Sequence, residues 1–301
     1  MRYPILYSMT LAIFLALVAV FCWSTVATAF KLSLRTLTPL ELLLVASLVT
    51  AIFFVLISIG PARSKWKAHQ WNSRRIFLLI AAGLINPCIY YLLLFQAYDR
   101  LLAQQALALN YTWPIVLVIF DSISRRRIPK SGLSLCLIFS FVGIIISSGV
   151  YSKEFGAIDF WGVILALSSA FIWALYWVLQ NRIPGDELIN LTVSFSLSTI
   201  LLLLIVPFPK FDSLSLMFWP FYVGLMEMAV PFYCWLLAMS RVKHTAELAS
   251  FVYLSPVLST LWIAVILKEP LQIDLLVGLA VIVISCFISS RLQSADDEAN
   301  S

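Results

Sequence analysis

Glu227 is the residue of this chain with the most chemistry to offer. It lies in Val223-Gly224-Leu225-Met226-Glu227-Met228-Ala229-Val230, with no basic residue within several helical turns. A lone carboxylate in so apolar a run is costly, so it must be protonated, paired across helices, or exposed to a water-filled cavity. In a wet cavity it can bind an ammonium group or carry a coupling proton. Protonated, it is a structural glutamic acid hydrogen-bonded to a neighbouring helix.

A second concentration of chemistry is polar and aromatic. Asn86, Tyr90, Tyr91, Gln96, Asn110, Tyr111 and Trp113 cluster within one short stretch, and Trp23, Trp173, Tyr176 and Trp177 can supply facing surfaces. Such polar groups cost energy against lipid and turn inward. Aromatic faces suit flat or amphipathic ligands and can cradle an ammonium group. Trp66, Trp71 and Trp219 read instead as residues of an interfacial belt. Pro114 and Pro256 each remove an N–H and free the carbonyl four residues earlier, on Asn110 and Val252. Each marks either a packing kink or the border of a cavity.

The chain lacks the common signatures of catalysis. It has no phosphate-binding glycine loop, no HExxH helix and no GxSxG elbow. Its two histidines, His69 and His244, fall in polar connections. The five cysteines, Cys22, Cys88, Cys136, Cys234 and Cys286, sit in five different apolar segments without metal-ligand spacing. No catalytic residue, cofactor or metal site is expected, and the chain is read as no enzyme.

The elements that position these groups are apolar throughout. Hydrophobic residues make up 62% of the 301 residues, charged residues only 12%, and the mean hydropathy is +0.98. Ten apolar segments follow one another: roughly Ile5–Phe30, Pro39–Gly60, Ile76–Tyr98, Leu101–Ser122, Leu133–Val150, Phe160–Gln180, Leu188–Val206, Met217–Ala238, Ala246–Leu267 and Leu271–Ser290. Each is near the ~20 residues that cross ~30 Å of hydrocarbon. The expected fold class is an all-α membrane protein of ten transmembrane helices, followed by a disordered tail over 294–301. Ala27-Thr28-Ala29 resembles a signal-peptide cleavage site, but the apolar run is too long, and the first segment is read as a retained helix. Of the 20 Lys and Arg residues, fourteen fall on the side carrying both termini, which predicts that both termini are cytoplasmic. The net charge of +5 is spread over separate short loops and serves orientation. Nucleic acid is not an expected partner.

The chain also repeats itself. Leu15-Ala16-Leu17 with Phe21 and Trp23 recurs as Leu165-Ala166-Leu167 with Phe171 and Trp173; Tyr111-Thr112-Trp113-Pro114 aligns with Tyr253-Leu254-Ser255-Pro256. The expected domains are two five-helix repeats, residues 1–150 and 151–293. Five crossings are odd, so the second repeat starts on the other side and the topology is inverted. Such repeats place a substrate site near the midplane between them and move it by alternating access.

This duplicated plan resembles the drug/metabolite transporter superfamily, in its EamA-type branch, over nearly the whole chain. Ser255-Pro256-Val257-Leu258 followed by Leu267-Lys268-Glu269-Pro270 is similar to the family's repeat ending. Asn110-Tyr111-Thr112-Trp113-Pro114 and Ala170-Phe171-Ile172-Trp173-Ala174 resemble stretches of bacterial aromatic amino-acid exporters. The resemblance implies a cavity lined by the first, third, fourth, sixth, eighth and ninth helices, with Tyr111, Trp113 and Trp173 at motif positions. Two departures stand out: Tyr90-Tyr91 and Gln96 occupy a stretch where the exporters carry histidines, and Glu227 matches no residue of the pattern. The expectation is an inner-membrane secondary transporter of a bacterial cell, moving amino acids or similar small metabolites, outward rather than inward. Its partners are a small-molecule substrate, the lipid bilayer and a coupling proton. Expected substrate contacts are Asn110, Tyr111 and Trp113, then Glu227, Trp173 and Tyr90. The alternatives are an importer or exchanger of a cationic metabolite such as S-adenosylmethionine, and a membrane-embedded enzyme or scaffold.

Overall fold

In a computed structural model of the chain, residues 3–60, 66, 71–124, 131–147, 159–180, 182–241 and 250–299 are described. His69, His244 and many of the basic loop residues counted for orientation lie outside them. Among the described residues the chain is helical and has no strand. The helices are α1 (Tyr3–Ser33), α2 (Pro39–Ile59), α3 (Ser73–Arg100), α4 (Ala103–Asn110 continued by Trp113–Ser124), α5 (Ser131–Ser147), α6 (Phe160–Gln180), α7 (Glu187–Ile205), α8 (Leu214–Met239), α9 (Phe251–Leu267) and α10 (Ile273–Ala299). Six of them are long and apolar enough to cross a bilayer: Met9–Ser33 of α1, α2, α3, α6, α7 and α8. α9 and Leu276–Ser285 of α10 are shorter apolar stretches. α10 runs on through Ala299, so residues 294–299, expected in a disordered tail, continue its helix. Alanines and a glutamate there suit a helix already nucleated upstream.

Local chemistry sets where the helices begin. Thr38 caps α2 in a reciprocal box: its Oγ1 accepts from the Glu41 N–H, and Glu41 Oε2 accepts from the Thr38 N–H at 2.8 Å. Asn72 caps α3, Asp159 precedes α6 and Asp186 caps α7, each carboxylate or amide oxygen accepting from a first-turn N–H. Asp159 also pairs with Arg100 at 3.0 Å, tying the end of α3 to the start of α6.

Packing follows a regular scheme. α1 lies against α8 and α9; α6 lies against α3 and α4. α2 packs on α7 and α8, α7 on α2 and α3, and α5 on α10. Exchanging α1–α5 with α6–α10 leaves this set of pairs unchanged. Close approach is made by matching glycines. A Cβ on Gly83 of α3 would come within 2.7 Å of the Ser194 carbonyl oxygen of α7; one on Gly224 of α8 would come within 2.7 Å of the Ala46 carbonyl oxygen of α2. Leu204, Val265, Phe77 and Ile123 project outward and exposed, an apolar exterior suited to lipid rather than water.

α3 and α8 share one irregularity. Each departs from the regular α-helix near its middle: α3 kinks over Leu84–Ile89, where Asn86 takes a non-helical φ of −138° and ψ of 118°, and α8 opens into a widened turn over Gly224–Ala229. Pro87 lies inside the first, and Pro231 stands two residues past the end of the second. Missing or shifted N–H groups loosen the backbone there, a feature common where helices carry function. α4 and α9 match in another way. α4 breaks at Tyr111–Thr112, just before Trp113-Pro114, and α9 starts with the tight turn Ser250–Tyr253 ahead of Pro256.

Candidate functional site

Glu227 lies in the widened turn of α8, only 8% exposed, and its Oε1 accepts from the Tyr91 hydroxyl at 3.0 Å. Tyr91 is fully buried, two residues beyond the kinked segment of α3. The Trp23 indole N–H donates to the Glu227 backbone carbonyl at 3.2 Å, a carbonyl that the loosened turn leaves free to accept from α1. Glu227 is therefore paired across helices, one of the three states its apolar surroundings required.

Beside this pair lies a cavity of about 690 Å³, counted out to its mouth. α1 contributes Trp23, Val26, Ala27 and Phe30; α3 contributes Tyr90, Leu94 and Tyr98. α4 adds Leu107, Asn110, Tyr111 and Trp113, and α6 adds Trp173 and Trp177; Glu227 and Trp235 come from α8 and Val252 from the start of α9. In α1, α3, α6 and α8 these residues recur at helical spacing and present one face each, while Asn110, Tyr111 and Trp113 gather at the break of α4. The six residues expected as substrate contacts, Asn110, Tyr111, Trp113, Tyr90, Trp173 and Glu227, all line this one cavity.

Aromatic side chains dominate the walls. Tyr90 stacks on Trp173 with ring centroids 4.5 Å apart, and Trp23 leans on Trp235 at 5.6 Å. Trp177 stands edge-on to Trp173 at 5.8 Å. Asn110 is pinned by donating to the Ser169 hydroxyl of α6 at 2.9 Å, and Ser169 in turn donates to the Ala166 carbonyl. That chain fixes the carboxamide at the end of the first part of α4, where the helix breaks. Among the described lining residues Glu227 is the only Asp or Glu, and there is no Lys, Arg or His.

Other expectations land elsewhere. Gln96 does not line the cavity, and Asn86 is wholly buried at the kink of α3. Trp66 stacks on Trp71 at 6.1 Å, away from the cavity. Among the described side chains Cys22, Cys88, Cys136 and Cys234 are free cysteines. Trp235, Tyr98 and Phe30 escaped sequence reasoning. The signal for Trp235 was present, because it lies two helical turns beyond Glu227 on one face; Phe30 likewise lies two turns beyond Trp23.

A helical bundle with an apolar exterior and an aromatic, carboxylate-bearing cavity between its halves defines a multi-pass membrane protein built around a small-molecule site. Comparison with known proteins gives the family. The chain belongs to the EamA-like transporter family, whose model matches residues 10–149 and again residues 160–291. It is 26% identical to an uncharacterized transporter of Clostridium kluyveri, over 96% of this chain and 94% of that protein. It is 24% identical to the uncharacterized transporter YvbV of Bacillus subtilis, over 84% and 83% of the two chains. A crystal structure with 21% identity superposes with a TM-score of 0.62, covering 93% of this chain and 96% of its own; that likeness concerns the fold. The protein is a membrane transporter of this family, with a lipid bilayer and a small-molecule substrate as partners.

Proposed function

We propose that the chain is a secondary transporter that moves a small amphipathic organic cation by alternating access. The observation that carries the cargo class is the charge of the lining: one carboxylate, nine aromatic side chains and no basic residue among the described lining residues. A cation placed there meets Glu227 and the faces of Trp23, Tyr90 and Trp173, interactions that strengthen when water is excluded. An anionic group placed there meets Glu227 as a like charge and finds no counter-ion.

That contrast orders the cargo readings. A zwitterionic amino acid satisfies its ammonium group and leaves its carboxylate unpaired. The amino-acid reading retains one support, since Asn110, Tyr111 and Trp113 of the exporter-like stretch all line the cavity. S-adenosylmethionine brings a sulfonium and an adenine ring that suit the aromatic walls, but also a carboxylate. Amines without a carboxylate fit the lining best.

Ten spans in two inverted repeats, residues 1–150 and 151–293, complete the proposal. They are supported by the packing scheme that survives exchange of α1–α5 with α6–α10, by the mid-helix irregularities and close-packed glycines at matching places in α3 and α8, and by the family model matching twice. In this reading the protein sits in the inner membrane of a bacterial cell with both termini in the cytoplasm, an orientation supported by the bias of Lys and Arg towards the side carrying the termini. Transport runs outward, and a proton on Glu227 is the coupling ion: the carboxylate accepts either a proton or the cationic cargo, and exchange between the two links their movements.

Liposomes holding the purified protein test this reading. Counterflow of a radiolabelled aryl-alkyl amine, absent in empty liposomes and competed by unlabelled amine, is the expected result. Counterflow of a neutral amino acid without any amine flux would transfer the cargo to the exporter reading. No substrate-dependent flux from any panel would point to a membrane-embedded enzyme or scaffold.

A further inference from the structure

A second cavity, of about 540 Å³ counted out to its mouth, lies at the end of the bundle where α1 finishes. It is lined by Lys31, Leu34, Arg35, Asp99, Leu267 and Glu269. Its relation to the central cavity is direct. Phe30 and Tyr98 line the central cavity, while their chain neighbours Lys31 and Asp99 line the charged one. One layer of side chains therefore separates the two. In that layer Phe30 meets Tyr98 edge to face at 5.1 Å and Phe95 at 5.0 Å. Phe30 and Tyr98 are each only 2% exposed. At the other end of the central cavity, Trp113, Trp177 and Trp235 remain partly exposed.

Polar bonds hold this layer closed. The Lys31 ammonium donates to the Tyr98 carbonyl at 2.7 Å and to the Leu101 carbonyl at 2.8 Å, fastening the end of α1 to the end of α3. Beside it α4 is clasped to α9. The Ala103 N–H, one of the unpaired donors at the start of α4, donates to Glu269 Oε1 at 3.2 Å. The Gln104 side-chain amide donates to the Pro270 carbonyl at 3.2 Å. Glu269 can turn back because α9 stops at Lys268, whose φ of 56° lies in the left-handed region. The clasp is also incompletely satisfied: Glu269 Oε2 and Gln104 Oε1 are buried without a hydrogen-bond partner. A clasp of neutral or singly bonded contacts gives way more readily than a saturated one.

The geometry points to a gate. Phe30 and Tyr98 form the closed door between the central cavity and the charged vestibule; Lys31 latches it, and the Ala103–Glu269 and Gln104–Pro270 bonds clasp the two halves around it. This rests on the transporter reading and extends it. The structure is the state closed towards the vestibule, and passage through the vestibule requires the clasp bonds across α4 and α9 to part. The charged walls then receive cargo released past the aromatic pair.

Two measurements test the gate, both in a variant whose five cysteines are replaced and which keeps its fold. The first places a reporter cysteine in the central cavity, Ala27→Cys, and times its modification by a membrane-impermeant thiol reagent applied from the vestibule face. Glu269→Ala, which removes one hydrogen bond, should speed labelling about fivefold, and Lys31→Met, which removes two, at least as much, with labelling from the opposite face not increased. Equal rates with and without these substitutions would overturn the gate. The second measurement uses Gln104→Cys with Pro270→Cys. Oxidation to the disulfide should abolish amine counterflow, and reductant should restore it; undiminished counterflow in fully cross-linked protein overturns the gate. Should the reduced protein show no counterflow, the transport reading fails, and the Ala27→Cys labelling alone decides whether the door exists.

Discussion

The Tyr91 hydroxyl donates to Glu227 Oε1 at 3.0 Å, joining the loosened middle of α8 to the turn that follows the loosened middle of α3. The bond gives the carboxylate a polar partner without neutralising it by a counter-ion. A Glu–Arg pair would have left no charge for a ligand to meet. Here a cation arriving in the cavity can take up the remaining oxygen while Tyr91 keeps its own bond.

Glu227→Gln keeps the size and the acceptor oxygen but removes the charge. Binding of an organic amine should weaken at least about tenfold, equivalent to about 1.4 kcal/mol. In the wild type, amine binding should strengthen as pH rises, because the carboxylate must lose its proton before it can pair with the cation. The variant should be flat across the same range. Flux that is unchanged in size and in pH dependence would remove Glu227 from the mechanism.

The aromatic walls predict a graded series. Trp173→Ala removes the ring that Tyr90 stacks upon, and Trp113→Ala removes a wall at the break of α4. A cation–π contact of about 0.5–2 kcal/mol implies a loss of roughly 2- to 30-fold in affinity. Trp66→Ala, which takes a ring away from the Trp71 pair outside the cavity, should leave affinity unchanged. Calorimetric titration of one amine against the three variants reads the order; equal losses would make Trp113 an ordinary packing residue.

Gly224→Ala should destabilise the fold. The added Cβ would strike the Ala46 carbonyl and the Val49 side chain across the α2–α8 contact, a cost of about 1–3 kcal/mol for overpacking a tight interface. Gly83→Ala should do the same at the matching α3–α7 contact. Melting in detergent checks both, and a variant as stable as wild type would show that the helices can part there without loss.

Arg75→Met separates structure from site. Arg75 is buried at the start of α3, donates to Asn190 of α7 at 2.9 Å and lies far along the chain from the cavity-lining face of α3. Losing a charge-assisted bond should lower stability by about 1.5–3 kcal/mol while amine affinity, measured well below the melting temperature, stays within a factor of about two. A selective loss of affinity would extend the site to the capped end of α3.

Much of this was legible in the sequence, and the residues show why. Tyr111 and Trp113 announced themselves through the Pro114 kink, since a proline in an apolar helix leaves a carbonyl that must turn inward. Glu227 announced itself by isolation. The Tyr91–Glu227 bond did not, because it joins residues 136 positions apart, and no local pattern encodes which of several inward tyrosines reaches the carboxylate. Trp235 was missed for a different reason. Its spacing from Glu227 was readable, but tryptophan near a helix end also suits a membrane interface, and only the neighbouring α1 decides between the two. The ten apolar segments foretold the helices, but not that α4 splits at Tyr111–Thr112 or that α10 carries its helix through Ala299. The first depends on bonds closing around Thr112, and the second on a helix extending past its apolar part.

Selection for positive charge by this cavity can be read from thermal stabilisation of the purified protein with three ligands of one shape: an aryl-alkyl amine, its neutral alcohol analogue, and the corresponding zwitterionic amino acid. A ligand bound to the folded state at a hundred times its dissociation constant stabilises by ~2.7 kcal/mol. The amine alone should raise the melting temperature in a concentration-dependent manner, and Glu227→Gln should abolish the shift. Stabilisation by the zwitterion equal to or greater than that by the amine would contradict the account.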